Sequence, residues 1–199
     1  IATKNPGKLE EISRFLSDLD LKILSLKDLN TKEDVKENEK TYQSNSQKKA
    51  LFFARKSNLP TIADDGGLEI KALGGAPGIR SRRWLGHEGT DEELIEHLKK
   101  VVSKINPKKR QASFKTVVSF ALPSGRVFSV PGEVKGIVMS EPKMKILEGY
   151  PYRSFFYIPE IAKFYHESDL SEDEQKLYNH RYIALAKLKK IIKRELKLK

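Results

Sequence analysis

Three acids and one lysine carry the first chemical hint. Asp64 and Asp65 follow the short run Thr61-Ile62-Ala63 and precede Gly66 and Gly67. Glu37 lies in the charged stretch 27–40. Two carboxylates at the end of an apolar run, joined by a third from a loop, are the oxygen donors that a hard cation takes. Mg2+ in particular uses one or two carboxylates and fills its shell with water and substrate phosphates. Lys8 follows Asn5-Pro6, a helix start with asparagine as cap and proline in the first turn. A chain running straight into a helix N-terminus offers free N–H groups and the positive dipole end to a phosphate, and Lys8 adds charge there. The stretch is not a P-loop, because the upstream glycine and the Ser/Thr after the lysine are absent. Plain readings stand beside these: Asp-Asp-Gly-Gly is also a turn signal, and the acids are also ordinary surface charges.

Composition narrows the chemistry. The chain has 199 residues, 38% hydrophobic and 33% charged, enough for one domain of two lobes over residues 1–199. It has no cysteine, which excludes disulfides, thiolate metal sites and a cysteine nucleophile. Its four histidines (His87, His97, His166, His180) lack zinc-type spacing, so any metal is expected to be a hard cation. No apolar stretch reaches bilayer length and the opening residues lack a signal-peptide pattern. A cytoplasmic protein with no membrane partner is therefore expected.

The formal charge of +11 is concentrated at one end. Residues 181–199 hold Arg181, Lys187, Lys189, Lys190, Lys193, Arg194, Lys197 and Lys199 against Glu195 alone, a net +7. Leu185, Leu188, Ile192 and Leu196 recur there at helical spacing, so one face is expected to pack and the other to be a solvated basic face. Nucleic-acid binding is the less favoured reading, because no base-stacking aromatics are interleaved.

The elements that must position these residues read as mixed α/β. Ile1-Ala2-Thr3 is a strand end, so residues are expected before Ile1. A helix follows from Asn5-Pro6, with Leu9, Ile12, Phe15 and Leu16 on its buried side. Residues 21–26 read as a strand, 27–40 as charged loop and 41–57 as a helix. Two short strands are expected around an acidic turn at 64–67, and a loop over 74–81. Thr90 and Glu93 form a capping box before a helix, and Ser171 and Glu174 another that opens the C-terminal helix. Between them, 112–122 and 126–138 form a hairpin around Pro123-Ser124-Gly125. Strands mixed with helices and one long hairpin point to a mixed sheet flanked by helices.

ATKNPGKLEEI (2–12), ENEKTYQSNSQKKA (37–50), IADDGGLEIKALGGAPGIRSRRW (62–84), GYPYRSFFYIPE (149–160) and NHR (179–181) together resemble the inosine triphosphate pyrophosphatase family, in that order and spacing. The resemblance implies a mixed, twisted sheet in two lobes with a central cleft, and a homodimer. It implies hydrolysis of deaminated purine nucleoside triphosphates (ITP, dITP, XTP) to the monophosphate and pyrophosphate. Mg2+ is the implied cofactor, with Mn2+ as the alternative. Carried over by position, Thr3, Asn5 and Lys8 match a phosphate-contacting loop and Glu11 the acid after it. Glu37, Asp64 and Asp65 match the metal site, with Asp65 as general base. Asn45 and Lys49 match the polar face of the second helix. Gly66, Ser81, Arg83, Tyr150, Tyr152, His180 and Arg181 match substrate-side positions.

Two departures bear on selectivity. Tyr150 stands where the family has the base-stacking phenylalanine, Pro151 replaces a glycine, and Arg153 replaces an aspartate. An arginine only donates hydrogen bonds, whereas the acid it replaces accepts them. Gln175 stands where the family has a lysine five residues before the histidine, and Lys176 is about 100° round a helix from it. The sequence therefore implies a working pyrophosphatase with altered base selectivity; the alternatives are an inactive nucleotide-binding relative and a nucleic-acid-binding protein.

Overall fold

In the computed structural model, residues 1–31, 33–166 and 168–198 are described. Lys199 of the basic tail and Lys32 of the charged loop lie outside them. The helices are α1 (Pro6–Phe15), α2 (Tyr42–Ser57), α3 (Asp91–Val102), α4 (Glu172–Tyr178) and α5 (His180–Leu196). The strands are β1 (Thr61–Ile70), β2 (Gln111–Ala121), β3 (Val127–Val138), β4 (Phe156–Ile158) and β5 (Lys163–Phe164). They form one five-stranded sheet in sequential order, with β3–β4 and β4–β5 antiparallel. The α/β class expected from the sequence is the class observed.

The chain divides into two compact units. One holds Ile1–Asp65, Thr116–Gly132 and Arg181–Lys199, and the other Gly66–Lys115 and Glu133–His180. The long strands β1, β2 and β3 each pass from one unit into the other. In the first unit, Ile12 and Leu16 of α1 and Leu185, Leu188 and Ile192 of α5 pack with Val118 and Phe120 of β2. Ala50, Phe53 and Ala54 of α2 pack with Ala2, Ala63 and Ala121. In the second unit, Leu94, Leu98 and Val102 of α3 pack with Leu68, Phe114, Phe155, Phe156 and Tyr165.

Local rules explain most elements. Asn5 caps α1 by accepting from the Lys8 N–H at 3.1 Å. Both capping boxes are present, Thr90–Glu93 on α3 and Ser171–Glu174 on α4. Along β2, Ala112, Phe114, Thr116, Val118 and Phe120 are all buried at the period of two that a pleated strand imposes. The hairpin closes with the Leu122 N–H on Arg126 O at 2.8 Å.

Five expectations need correction. The acidic stretch is no turn: residues 61–70 form one continuous strand with Asp64 and Asp65 in its middle. Residues 21–25 have no regular structure, and Ile1-Ala2-Thr3 is not a strand, although the Ala2 N–H reaches Ile62 O on β1 at 2.7 Å. The C-terminal helix is two helices. Asn179 takes an extended conformation (φ −106, ψ 113) between α4 and α5, and its amide donates to Gln175 Oε1 at 3.1 Å. Such local side-chain bonding is how asparagine competes with continued helix. Finally, Arg181 is not part of the basic face: it is 3% exposed.

Gly67 also has a different reason from turn-making. A Cβ at Gly67 would overlap Ser81 Oγ and Gly78 O. Ser81 sits in the 3-10 turn Gly78–Arg83, accepts from the Leu68 N–H at 3.0 Å and donates to Gly78 O at 2.6 Å. Gly67 thus lets that turn dock against β1. Gly67→Ala is expected to destabilise the protein by about 2–4 kcal/mol, in the overpacking range and somewhat above it because backbone is struck. Urea unfolding measures it, and an unchanged midpoint would show that the turn has room to move.

Candidate active site

The first unit gathers a charged cluster from four elements. In a strand, successive side chains point to opposite faces, so the two aspartates of β1 make different direct contacts. The contacts follow that rule. Asp64 Oδ2 pairs with Lys8 Nζ of α1 at 3.1 Å and with Arg181 Nε and Nη2 of α5 at 3.0 Å each. Asp65 Oδ2 accepts from Asn45 Nδ2 of α2 at 2.9 Å. Both aspartates are buried, at 1% and 6% exposure.

Helical spacing aligns the other partners. Lys8 and Glu11 are three apart on α1, and Asn45 and Lys49 four apart on α2, so each pair shares a face. Arg181 bridges Asp64 to Glu11, whose carboxylate is buried beside it. Lys49 pairs with Glu37 and donates to the backbone O of Asp64 at 3.1 Å. From β2, Thr116 Oγ1 donates to Asp65 O at 3.0 Å and fixes the backbone there.

This environment drives the two carboxyls apart. Burial works to raise Asp64, but Lys8, Arg181 and Lys49 outweigh it and hold the group well below the usual range. Asp65 moves the other way, pushed up to about 6 by burial and then by the like charge of Glu37; Lys8, the Asn45 hydrogen bond and Lys49 offset this only in part. Burial opposes the charged form of Lys49, yet Glu37 and Asp64 raise its affinity for the proton. Two neighbouring acids with opposite shifts are a signature of divided roles. Asp64 is a permanent anion that anchors cations, and Asp65 is a carboxyl near the range where a base works.

A cation fits this donor set only as a shared guest. Among the described residues no group of three or more His, Asp or Glu is arranged to hold a metal. Asp64 Oδ1, however, is buried without a hydrogen-bond partner. The repulsion of Asp65 by Glu37 is likewise the strain that a positive ion between carboxylates relieves. Those residues suit an ion that takes a few protein oxygens and completes its shell elsewhere.

Other expected site residues in this unit have local duties. Thr3 Oγ1 accepts from the Asn5 N–H at 3.2 Å, and Asn5 caps α1. The remaining expected residues belong to the second unit. Gly66 is half-buried on β1 and Arg83 half-buried at the end of the 3-10 turn. Tyr152 is 4% exposed and its hydroxyl donates to Ser81 O at 2.7 Å, with burial holding its proton more tightly than in a free tyrosine. Gln175 is 8% exposed and accepts from Asn179. His180 is buried, with Nδ1 2.6 Å from the Tyr165 hydroxyl and its ring stacked on Phe114 at 5.4 Å. Tyr150 and Arg153 lie against each other, with the guanidinium carbon 3.8 Å from the ring centre.

Sequence reasoning missed two supports, Thr116 and the Gly67–Ser81 contact. The signal for Thr116 was present: a polar residue in the inward register of β2, otherwise Ala112, Phe114, Val118 and Phe120.

The family model described as the Ham1 family matches residues 1–191. A dITP/XTP pyrophosphatase of Thermus thermophilus is 36% identical over 188 residues, covering 94% of this chain and 88% of the relative. One from Geobacter sulfurreducens is 33% identical over 189 residues, covering 95% and 93%. Among solved structures, a HAM1 protein from Coxiella burnetii superposes with a TM-score of 0.81 at 30% identity, covering 97% of this chain and 96% of that one. The Staphylococcus aureus Ham1 protein gives 0.80 at 29% identity, covering 98% and 97%. With its charged cluster built on the segments that carry the likeness, the chain belongs to the Ham1 family.

Proposed function

We propose that this protein hydrolyses deaminated purine nucleoside triphosphates such as ITP, dITP and XTP to the monophosphate and pyrophosphate. The observation that carries the reading is the division of labour between Asp64 and Asp65, together with the dITP/XTP pyrophosphatase names of its relatives. Asp65, with one oxygen fixed by Asn45, orients water and takes its proton. Lys8 and Lys49 offer positive charge to phosphate oxygens. Thr3 and Asn5 at the head of α1 offer hydroxyl and amide donors to the same groups. Arg181 clamps Glu11 and Asp64, and so holds the acids in place. Glu37, Asp65 and Asp64 are the residues that would hold a divalent ion, Mg2+ first and Mn2+ second. Such an ion, when bound, supplies charge stabilisation to the leaving pyrophosphate. On the base side, Tyr150 offers a ring. Gly66, Arg83, Gln175 and His180 are assigned to substrate binding by position, and Tyr152 acts through Ser81.

The reading extends to a cytoplasmic homodimer. Its membrane side rests on one fact, that no described helix is long and apolar enough to cross a bilayer. The test is pyrophosphate release from ITP, XTP, GTP, ATP and dUTP, with Mg2+ and with EDTA. Release from ITP and XTP at least tenfold above ATP, abolished by EDTA, is expected. Thermal stabilisation by ITP with no turnover of any substrate would instead make the protein an inactive nucleotide binder.

A further inference from the structure

Arg153 is a buried cation held between aromatic rings. It is 5% exposed. A guanidinium stays protonated, so burying it requires strong compensation. Here two rings flank it. Its central carbon lies 3.8 Å from the centre of Tyr150 and 4.7 Å from that of Tyr165, both inside the roughly 6 Å range of cation–π attraction.

The two rings differ in freedom. Tyr165 is 1% exposed, packs edge-on against Phe114 and Phe156, and its hydroxyl is bound to His180 Nδ1. It is a fixed wall. Tyr150 is half-buried on a tight loop, with its N–H on Leu147 O at 3.0 Å and Gly149 at φ +78 before it. The Gly149 N–H reaches Asp91 Oδ2 at 2.6 Å, which ties the loop to the start of α3. The backbone of this loop is therefore pinned, and the Tyr150 ring is held by a guanidinium wedged against the fixed wall.

We propose that Arg153 is a positioning residue for base recognition: it acts through Tyr150, holding that ring ready to stack on the flat base of the triphosphate. This rests on the function proposed above. With so little exposure, the guanidinium itself has little surface to offer a ligand. Its effect is pre-organisation. A ring ordered before binding loses no freedom when the base arrives, which improves affinity rather than the chemical step. Truncating the wedge is thus expected to raise KM about three- to tenfold and to leave kcat within about twofold.

The experiment compares Arg153→Met, Arg153→Lys, Tyr150→Ala and Tyr150→Ala/Arg153→Met, reading kcat and KM for ITP with Mg2+ and the melting temperature of each. The expected result is a KM increase for Arg153→Met, a smaller one for Arg153→Lys, and a double variant no worse than Tyr150→Ala alone, because both changes remove one effect. A parental KM in Arg153→Met, with only the melting temperature lowered, would reduce Arg153 to a packing residue and overturn the proposal. A double variant that multiplies the two single effects would overturn it too, since Arg153 would then act independently of Tyr150. If the methionine variant fails to fold, the lysine variant and its double with Tyr150→Ala carry the same comparison. If the parent releases pyrophosphate from no triphosphate, the functional reading has failed separately; the dissociation constant for ITP by calorimetry then replaces KM with the same thresholds. A parent that does not bind ITP overturns both.

Discussion

Asp65→Asn is expected to cut pyrophosphate release by about 10²–10⁴, the usual worth of a positioned general base, while making the metal-free protein more stable. The first effect follows from losing the group that accepts the proton of water. The second follows from the geometry around it. Asp65 is buried beside another acid, Glu37, and its carboxyl is pushed up to about 6 from an ordinary 3.8. A raised acid favours folding while it is protonated. Its contribution is complete below the unfolded value of 3.8 and is lost as pH rises through about 6. At pH 8 the ionised Asp65 therefore costs the fold up to about 3 kcal/mol, at about 1.4 kcal/mol per unit. Asparagine removes that cost and can still accept from Asn45. Urea unfolding in EDTA should show the variant about 1–3 kcal/mol more stable than the parent at pH 8, with the gap closing towards pH 4. Adding Mg2+ should narrow the gap at pH 8, because only the parent has the carboxylate that the ion would stabilise. A variant that is less stable than the parent at pH 8, or equally active, would remove Asp65 from the role given to it.

Arg181→Met is the change with the largest expected effect on stability, a loss of about 3–5 kcal/mol. The guanidinium is 3% exposed and holds Asp64 through two nitrogens while also binding Glu11. Removing it takes a cation from two buried carboxylates and leaves Asp64 its ion pair with Lys8. Those carboxylates are then expected to take up protons at higher pH than in the parent. Asp64 shows the direction. Its depressed carboxyl contributes stability that is complete above the unfolded value of 3.8 and is lost progressively as pH falls from there towards its much lower folded value. The variant should therefore lose most at neutral pH, with the gap to the parent narrowing only as pH falls below about 3.8. Arg181→Lys keeps the charge but not the planar fork, and about half the loss is expected. Denaturant unfolding at pH 7.5 and at about pH 2.5 checks both. A Met variant within 1 kcal/mol of the parent at pH 7.5 would mean that the acids rearrange and that Arg181 is no clamp.

The sequence carried the site further than it carried the strand that builds it. Asp64 and Asp65 stood out by type and spacing, and the likeness to a pyrophosphatase family attached Glu37, Asn45 and Lys49 to them. The period-two alternation that separates the aspartates was hidden by Gly66 and Gly67, which signal a turn locally. Gly67 is instead required by a contact with Gly78 and Ser81, eleven and fourteen residues away, which no local rule reports. Arg181 drew two readings, and the resemblance placed it on the substrate side. It opens a tail of seven further basic residues, and composition alone assigned it to their solvated face. The strand expected at 21–26 is absent, because Leu21, Ile23 and Leu26 reach the apolar clusters of the first unit from irregular chain. Ile1 reaches across to Leu24 O at 2.6 Å, but the stretch joins no strand. Arg153 was legible as a charge reversal, yet its second ring, Tyr165, is twelve residues on and becomes a partner only in the fold.

The most direct test of the account is the identity of the products. ITP incubated with the protein and Mg2+, followed by 31P NMR, should yield IMP and pyrophosphate in equal amounts with no IDP. The appearance of IDP and orthophosphate, or an unchanged triphosphate spectrum, would contradict it.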